Sequence, residues 1–470
     1  MENYKKGQIA EVRIESAAFE GKGFGKLNDR AIFVKNTAPG DLVKVRIIKK
    51  RANFYEGSLL ELLEPGKTRI EPKCSHAGVC GGCTWQHVGY EDQLAFKRDH
   101  VRDHLQRIGG LKHVEPLPAI GSENTFNYRN KMEYTFGDRR WLTKDDIDSG
   151  IQFPDRDTAV GMHAPGRYDR ILNLNECHLQ HPISYQIMDF MRNYALQHEI
   201  PAFNQVKKNG FFRNVMIRNS HYTKDLMVNL ITFQDNPEIM RPLTDALLKQ
   251  FPEITTIVNN VNDTWSPSSE GRYENILHGP GYITELIGGY AFRIDANTFF
   301  QTNTLQAEAL YETAKRFADL KPDDLVFDLY CGVGSLSLYV SKPVRKVVGI
   351  EINPVSVNNA KENAIRNNVE NCSFETGDMK DVFTQEFIRT YGKPDVIITD
   401  PPRAGMHPDV VKTLNELGTE RLVYVSCNSA TMARDLAELS QNYDILKVQP
   451  VDMFPQTYHI ETVAQLRKKV

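Results

Sequence analysis

Asp328-Leu329-Tyr330-Cys331-Gly332-Val333-Gly334 closes an apolar run at residues 325–329 and opens onto a helical one. Two glycines two apart let the backbone turn sharply and approach a ligand without interference from a Cβ. Glu351 ends the next apolar run, 23 residues after Asp328, where an acid can hydrogen-bond ribose hydroxyls. The third glycine of a dinucleotide fingerprint is absent, because Ser337 stands there. That departure disfavours a nicotinamide cofactor, whose pyrophosphate uses the full motif. S-adenosylmethionine has no phosphate, and the shortened loop suits it better. Read alone, Gly-x-Gly also describes a tight turn beside a surface acid.

Outward from this loop the strand-like runs 325–329, 346–352, 395–399 and 422–426 alternate with helical runs at 355–367, 409–417 and 430–440. Such alternation predicts a parallel sheet covered by helices. Ligands of such sheets lie at the carboxyl ends of the strands. The expected class is α/β, a Rossmann-like catalytic domain at residues 291–470.

The 470 residues are too many for one ordinary core, and about three domains are expected. With 41% hydrophobic and 25% charged residues, the balance is that of a globular protein. The N-terminus lacks an apolar signal region, and no run approaches the roughly 20 apolar residues of a membrane span. A cytoplasmic protein with no membrane partner is expected, and a monomer.

Residues 1–65 read as a small β-barrel of the OB type, with alternating runs at 8–14, 31–34, 41–49 and 54–63 and glycine punctuation at Gly21-Lys22-Gly23-Phe24-Gly25. This module holds twelve Lys or Arg against nine Asp or Glu, although the whole chain has a net charge of −3. Lys44, Arg46, Lys49, Lys50 and Arg51 form a strip suited to a phosphate backbone, or equally a solvated strand end. A central α/β region is expected at 66–290, with a helix near 90–110 that packs on the catalytic domain. It carries two basic, aromatic stretches, Asn127–Tyr134 and Lys207–Arg213, as candidate RNA contacts. Arg129, Lys131 and Arg213 would meet phosphates, and Tyr128, Phe211 or Phe212 would either stack on bases or fill the core.

Cys74, Cys80 and Cys83 share a glycine-rich loop, and Cys177 is the obvious fourth ligand for a metal centre. Four cysteines suit zinc or an iron–sulfur cluster, and His178 and His181 keep a mixed zinc site open. A radical enzyme would show a Cys-x₃-Cys-x₂-Cys trio, whereas the first gap here is five residues. Cys331 and Cys372 read as packing residues.

Three further segments end strands or stand near the C-terminus: Asp400-Pro401-Pro402-Arg403-Ala404-Gly405, Tyr424-Val425-Ser426-Cys427-Asn428, and Asp452-Met453-Phe454-Pro455-Gln456-Thr457-Tyr458-His459-Ile460-Glu461-Thr462. With Phe299-Phe300-Gln301-Thr302-Asn303 they resemble the RNA uracil-5 methyltransferase family, which makes 5-methyluridine in tRNA and ribosomal RNA. The barrel resembles that family's TRAM module, and the four cysteines resemble its branch that binds a four-iron, four-sulfur (4Fe-4S) cluster. The resemblance implies that Cys427 adds to carbon 6 of the uracil and that Glu461 removes the proton from carbon 5. It places Gln301, Tyr330, Gly332, Gly334, Glu351, Asp378 and Asp400 around S-adenosylmethionine and the target base. Ser335 stands where some relatives carry Asn. The implied partner is structured RNA, with 23S rRNA expected and tRNA as the alternative.

Carbon 5 of uracil is too poor a nucleophile to attack a sulfonium methyl unaided, so a soft nucleophile and a nearby carboxylate are the minimum equipment. Outside such a setting, a lone strand-end cysteine is usually inert packing. Two rival readings remain: a non-catalytic RNA-folding factor built on the same scaffold, and a methyltransferase acting on a small molecule or protein.

Overall fold

The runs 325–329, 346–352, 395–399 and 422–426 are apolar on both faces because both faces are covered. In the structure, a computed structural model describing residues 4–150, 152, 158–167, 169–266 and 269–469, they pair in one seven-stranded sheet. Its strands are Leu325–Leu329 (β1), Lys346–Glu351 (β2), Cys372–Thr376 (β3), Val396–Thr399 (β4), Arg421–Ser426 (β5), Tyr443–Val451 (β6) and Glu461–Lys468 (β7). The spatial order is β3-β2-β1-β4-β5-β7-β6. The first five strands are parallel, and β7 runs antiparallel to both β5 and β6.

One core lies between this sheet and helices Thr304–Ala318, Ser335–Ser341 and Pro354–Arg366, and buries Leu310, Leu338 and Val357. The other lies beneath Pro408–Leu417, Ser429–Leu439 and the N-terminal helix Tyr90–Arg107, and buries Val101, Leu105, Leu414 and Leu436. The helix at 90–107 thus completes a layer of the catalytic sheet from far away in sequence.

Residues 9–64 form a closed five-stranded barrel. Its second strand, Gly23–Leu27, runs through the glycine stretch read as punctuation. The glycines serve close approach there: a Cβ on Gly23 would lie 2.1 Å from the Thr37 hydroxyl, and one on Gly25 would lie 2.6 Å from the Arg13 carbonyl. The basic strip is partly neutralised across the neighbouring strand, where Lys44 pairs with Glu61 and Lys49 with Glu56.

The central region holds a second seven-stranded sheet, from Lys131–Gly137 to Tyr273–His278, with helices Ile183–Gln197 and Pro237–Gln250. It decides between the two readings of the aromatic residues and corrects the phosphate contact expected of Arg213. Phe211, Phe212 and Tyr128 are buried, the two phenylalanines in the core of this sheet. Arg213 is also buried, its guanidinium donating to the carbonyls of Asn262, Thr264 and Ser266 rather than facing solvent.

Candidate active site

Strand ends bring the chemistry together. Tyr330 follows β1, Glu351 ends β2, Asp378 follows β3, Asp400 follows β4 and Cys427 follows β5. Because β7 is antiparallel, its first residue, Glu461, lies at the same edge, where Thr462 faces Ser426. Residues separated by more than a hundred positions therefore share one rim.

The loop after β1 has the shape a ligand needs. Tyr330 lies at φ 68°, a left-handed conformation that a non-glycine residue adopts only under constraint. Gly332 lies at φ 54°, and a Cβ there would point into open space. Gly334, at φ 77°, begins the helix Ser335–Ser341, and a Cβ there would lie 3.0 Å from the Phe374 ring. Glu351 holds the loop, accepting from the Gly332 amide at 3.2 Å and from the Asn353 amide at 2.8 Å. Asp328 is buried beneath it and accepts from the Ser337 hydroxyl; burial pushes its carboxyl up to about 7. Ser337, which replaces the third glycine, therefore serves the inside of the motif. Asp378 caps the turn Met379–Val382 through the Lys380 amide. The carbonyl of Gln301 accepts from Asn130, and its side-chain amide has no hydrogen-bond partner among the described residues. Ser335 is hydrogen-bonded to Tyr311 at 2.8 Å.

Cys427 is half-buried, and burial pushes its thiol up to about 11. The carboxylates of Glu461 and Asp400 push in the same direction, while the charge of Arg403 opposes them. Burial and the nearby Asp328 carboxyl raise the proton affinity of Asp400, and burial and repulsion from Asp400 raise that of Glu461, with Arg403 opposing. Two carboxyls that disfavour joint ionisation, beside a thiol and a guanidinium, can hold or accept a proton close to a soft nucleophile.

Known proteins resemble this chain in sequence and in fold. Residues 284–469 match the family model described as tRNA (Uracil-5-)-methyltransferase, and residues 4–60 match that of the TRAM domain. An uncharacterized RNA methyltransferase of Bacteroides thetaiotaomicron is 42% identical over 452 residues, covering 96% of this chain and 99% of that protein. A second, from Porphyromonas gingivalis, is 40% identical over 461 residues, covering 97% and 99%. The chain belongs to the RNA uracil-5-methyltransferase family. Its fold matches the crystal structure of Pyrococcus abyssi tRNA (uracil-54, C5)-methyltransferase in complex with S-adenosyl-L-homocysteine. That match has a TM-score of 0.75 and 28% identity, covering 98% of this chain and 100% of that one. The methyltransferase is an S-adenosylmethionine-dependent enzyme acting on RNA, and no described helix is long and apolar enough to cross a membrane.

The methyltransferase holds the segment leading into Glu461 with groups absent from the motif reading. Lys97 of the N-terminal helix donates to Asp452 at 2.6 Å, both side chains being fully buried, and to the Phe454 carbonyl at 3.1 Å. Tyr90 donates to the other Asp452 oxygen at 3.0 Å. Gln93 and Gln456 exchange hydrogen bonds at 3.1 and 3.0 Å. The Gln456 carbonyl accepts from the amides of Thr84 and Trp85, directly after Cys83. Only the helical period of residues 90–108 hinted at this clamp, since i, i+3 and i+4 place Tyr90, Gln93 and Lys97 on one face. Arg403 lay within a quoted motif, yet nothing in its neighbours marked it as the partner of Cys427.

Cys74, Cys80, Cys83 and Cys177 line one cavity, walled by Met132, Met162 and Leu174. All four are free thiols. The Cys80 sulfur accepts from the Gly82 amide at 3.4 Å, and the Cys83 sulfur from the Gln86 side chain at 3.2 Å. Burial pushes Cys74 up to about 11 and Cys83 up to about 12, and raises Cys80 and Cys177 as well. Among the described residues, no group of three or more His, Cys, Asp or Glu side chains is arranged to hold a metal ion.

Proposed function

We propose that the methyltransferase adds its methyl group to carbon 5 of a uridine in structured RNA through a transient bond between the Cys427 sulfur and carbon 6. The observation that carries this reading is the meeting of Cys427, Asp400, Glu461 and Arg403 at one strand edge. The thiol proton passes to Asp400, leaving Glu461 ionised, and the Arg403 guanidinium stabilises the thiolate. Attack at carbon 6 moves the ring's double-bond electrons onto carbon 5. The Gly332–Gly334 loop, Glu351, Asp378, Tyr330 and Gln301 would hold S-adenosylmethionine, whose sulfonium would give its methyl group to carbon 5, the S–CH₃ bond breaking with S-adenosylhomocysteine as the leaving group. Glu461, as a carboxylate, then takes the proton from carbon 5. The carbon 5–carbon 6 double bond reforms and sulfur leaves with its bonding pair. Two carboxyls that share a proton are suited to both transfers. Reaching the base edge requires extruding the uridine, at a cost of a few kcal/mol.

The four cysteines read best as ligands of a 4Fe-4S cluster. A tetrahedral zinc with Zn–S bonds of ~2.3 Å would draw its sulfurs to within ~3.8 Å of one another. A cluster gives each thiolate its own iron, which suits thiols spread around a cavity with amide donors to the sulfurs. Such a cluster would fix the cysteine loop, and with it the Thr84–Trp85 amides that hold Gln456.

We divide the chain into a barrel at 1–65, a central region at 66–290 and a catalytic domain at 291–470. The barrel and the cysteines support 23S rRNA as the target. The tRNA reading draws on the full-length likeness to the Pyrococcus enzyme. Mass spectrometry of ribosomal and transfer RNA fragments from cells with and without the gene tests the target, since 5-methyluridine must vanish from one of them. A non-catalytic folding role is excluded if the purified protein transfers labelled methyl groups to RNA.

A further inference from the structure

The Lys207–Arg213 stretch has an outcome different from the one its sequence suggests. With Phe211, Phe212 and Arg213 buried, the exposed aromatic of this region is Trp265, 54% accessible. It is the outer member of a stack. Phe203 lies 4.5 Å from Phe233 at 18°, and Phe233 lies 5.5 Å from Trp265 at 24°. Arg213 sits over the inner ring at 4.8 Å, and its guanidinium holds the carbonyls of Asn262, Thr264 and Ser266, the segment carrying Trp265. A buried cation satisfied only by carbonyls is expensive unless the segment it fixes is needed in one place.

Beside the stack, buried Asn204 accepts from the amides of Val206 and Lys207 and presents a tight loop to solvent. The Lys208 ammonium lies 4.3 Å from the centre of the Trp265 ring. Under this loop opens a cleft of about 300 Å³, lined by Arg139, His163, Phe203, Lys207 and Arg213 among others. Its acids are engaged, Asp138 with Asn204 and Asp169 with Arg139 and Arg170.

We propose that Trp265, Lys207 and Lys208 form a second RNA-binding site, in which an unpaired base of the substrate stacks on Trp265 and its phosphates meet the two lysines. The Lys208 ammonium lies over the Trp265 ring, and a base stacking there displaces it toward the phosphate; a rigid aromatic face with ammonium groups at its edge is the arrangement that binds single-stranded nucleic acid without reading its sequence. The platform is remote from the reacting base. Arg213 stands near the start of strand Phe212–Asn219, whose far end meets Asn130, the residue that holds the Gln301 carbonyl. Six residues of strand separate the two places by about 20 Å. The site therefore engages RNA flanking the target and governs binding rather than chemistry. It rests on RNA being the substrate, and not on the position of the methyl group.

The test is RNA binding and methyl transfer by W265A, W265F and K207A/K208A, with deproteinised ribosomal RNA, bulk tRNA and a uridine oligonucleotide too short to span that distance. W265A is expected to weaken binding of the long RNA about tenfold. W265F should stay close to wild type, and the short oligonucleotide should bind all forms alike. The double lysine variant should reduce the salt dependence of binding, each lost phosphate contact lowering the slope by about 1. The turnover rate at saturating RNA should not change in any of them. Wild-type affinity of W265A for both long RNAs would overturn the proposal and leave the face to a protein partner. An equal loss on short and long RNA would also overturn it. Failure of the uridine chemistry would appear instead as a different methylated product with these binding differences intact.

Discussion

Cys427 and Cys74 are desolvated to a similar degree, and burial is the largest cause that raises each thiol to about 11. Their neighbours differ. Cys427 faces two carboxyls able to take its proton and a guanidinium able to stabilise its thiolate. Cys74, Cys80, Cys83 and Cys177 face one another across an apolar wall. A thiol beside a base and a cation is equipped to attack carbon. Thiols facing thiols become anions together only when a metal supplies the positive charge. Burial alone, which is common to both places, assigns neither role.

The largest effect expected from this contrast is at Cys427. Cys427→Ala should retain RNA binding and lose methyl transfer by about 10⁴-fold or more, as removal of a covalent nucleophile does. Glu461→Gln should slow turnover by roughly 10²- to 10⁴-fold, the range of a lost general base, and accumulate a protein–RNA adduct on denaturing gels. Cys83→Ala, in the other environment, should form no such adduct. It should lower the thermal midpoint and abolish iron in the purified protein, with methyl transfer reduced only as far as the Gln456 segment loosens. Lys97→Met leaves Asp452 buried without its cation and should destabilise the fold by about 3–5 kcal/mol in denaturant titration.

The smallest effect is on stability against pH. Asp400 and Glu461 have proton affinities raised in the folded state. Such groups contribute most below their unfolded pKa near 4, and that contribution is lost as pH rises through the folded values. Glu461→Gln removes one of the opposing charges. It should therefore be more stable than wild type at neutral pH by about 1–2 kcal/mol, with the difference closing near pH 4. Over the same range wild-type turnover should rise with pH, because a raised thiol pKa makes the thiolate scarce at neutrality.

The catalytic sheet was the most legible part of the chain. Strands such as Leu325–Leu329 are continuous apolar runs, and Asp328, Gly332 and Gly334 mark a turn with few structural alternatives. Topology, once inferred, puts the strand ends in one place, whereas the roles expected of Cys427, Glu461, Asp378 and Gln301 came from the resemblance of their motifs to the family. Less was legible where a side chain's role depends on what packs against it. Arg213 read as a phosphate contact because it belongs to a basic stretch, and Phe211 read equally as a stacking or a core residue, yet the central sheet closes over both. Trp265 carried no pattern, since a stacked platform joins residues 203, 233 and 265 by tertiary contact alone. The clamp of Lys97 on Asp452 spans more than three hundred residues, and the helical spacing of Tyr90, Gln93 and Lys97 is its one local signal. The second barrel strand was hidden because its glycines serve tight packing and look like turn residues.

The most direct measurement is the mass of the peptide containing residue 427, recovered by protease digestion after Glu461→Gln reacts with S-adenosylmethionine and uridine-containing RNA. The account predicts that this peptide carries a methylated, ring-saturated uridine on sulfur. Undiminished methyl transfer by Cys427→Ala, with residue 427 unmodified in Glu461→Gln, would contradict it.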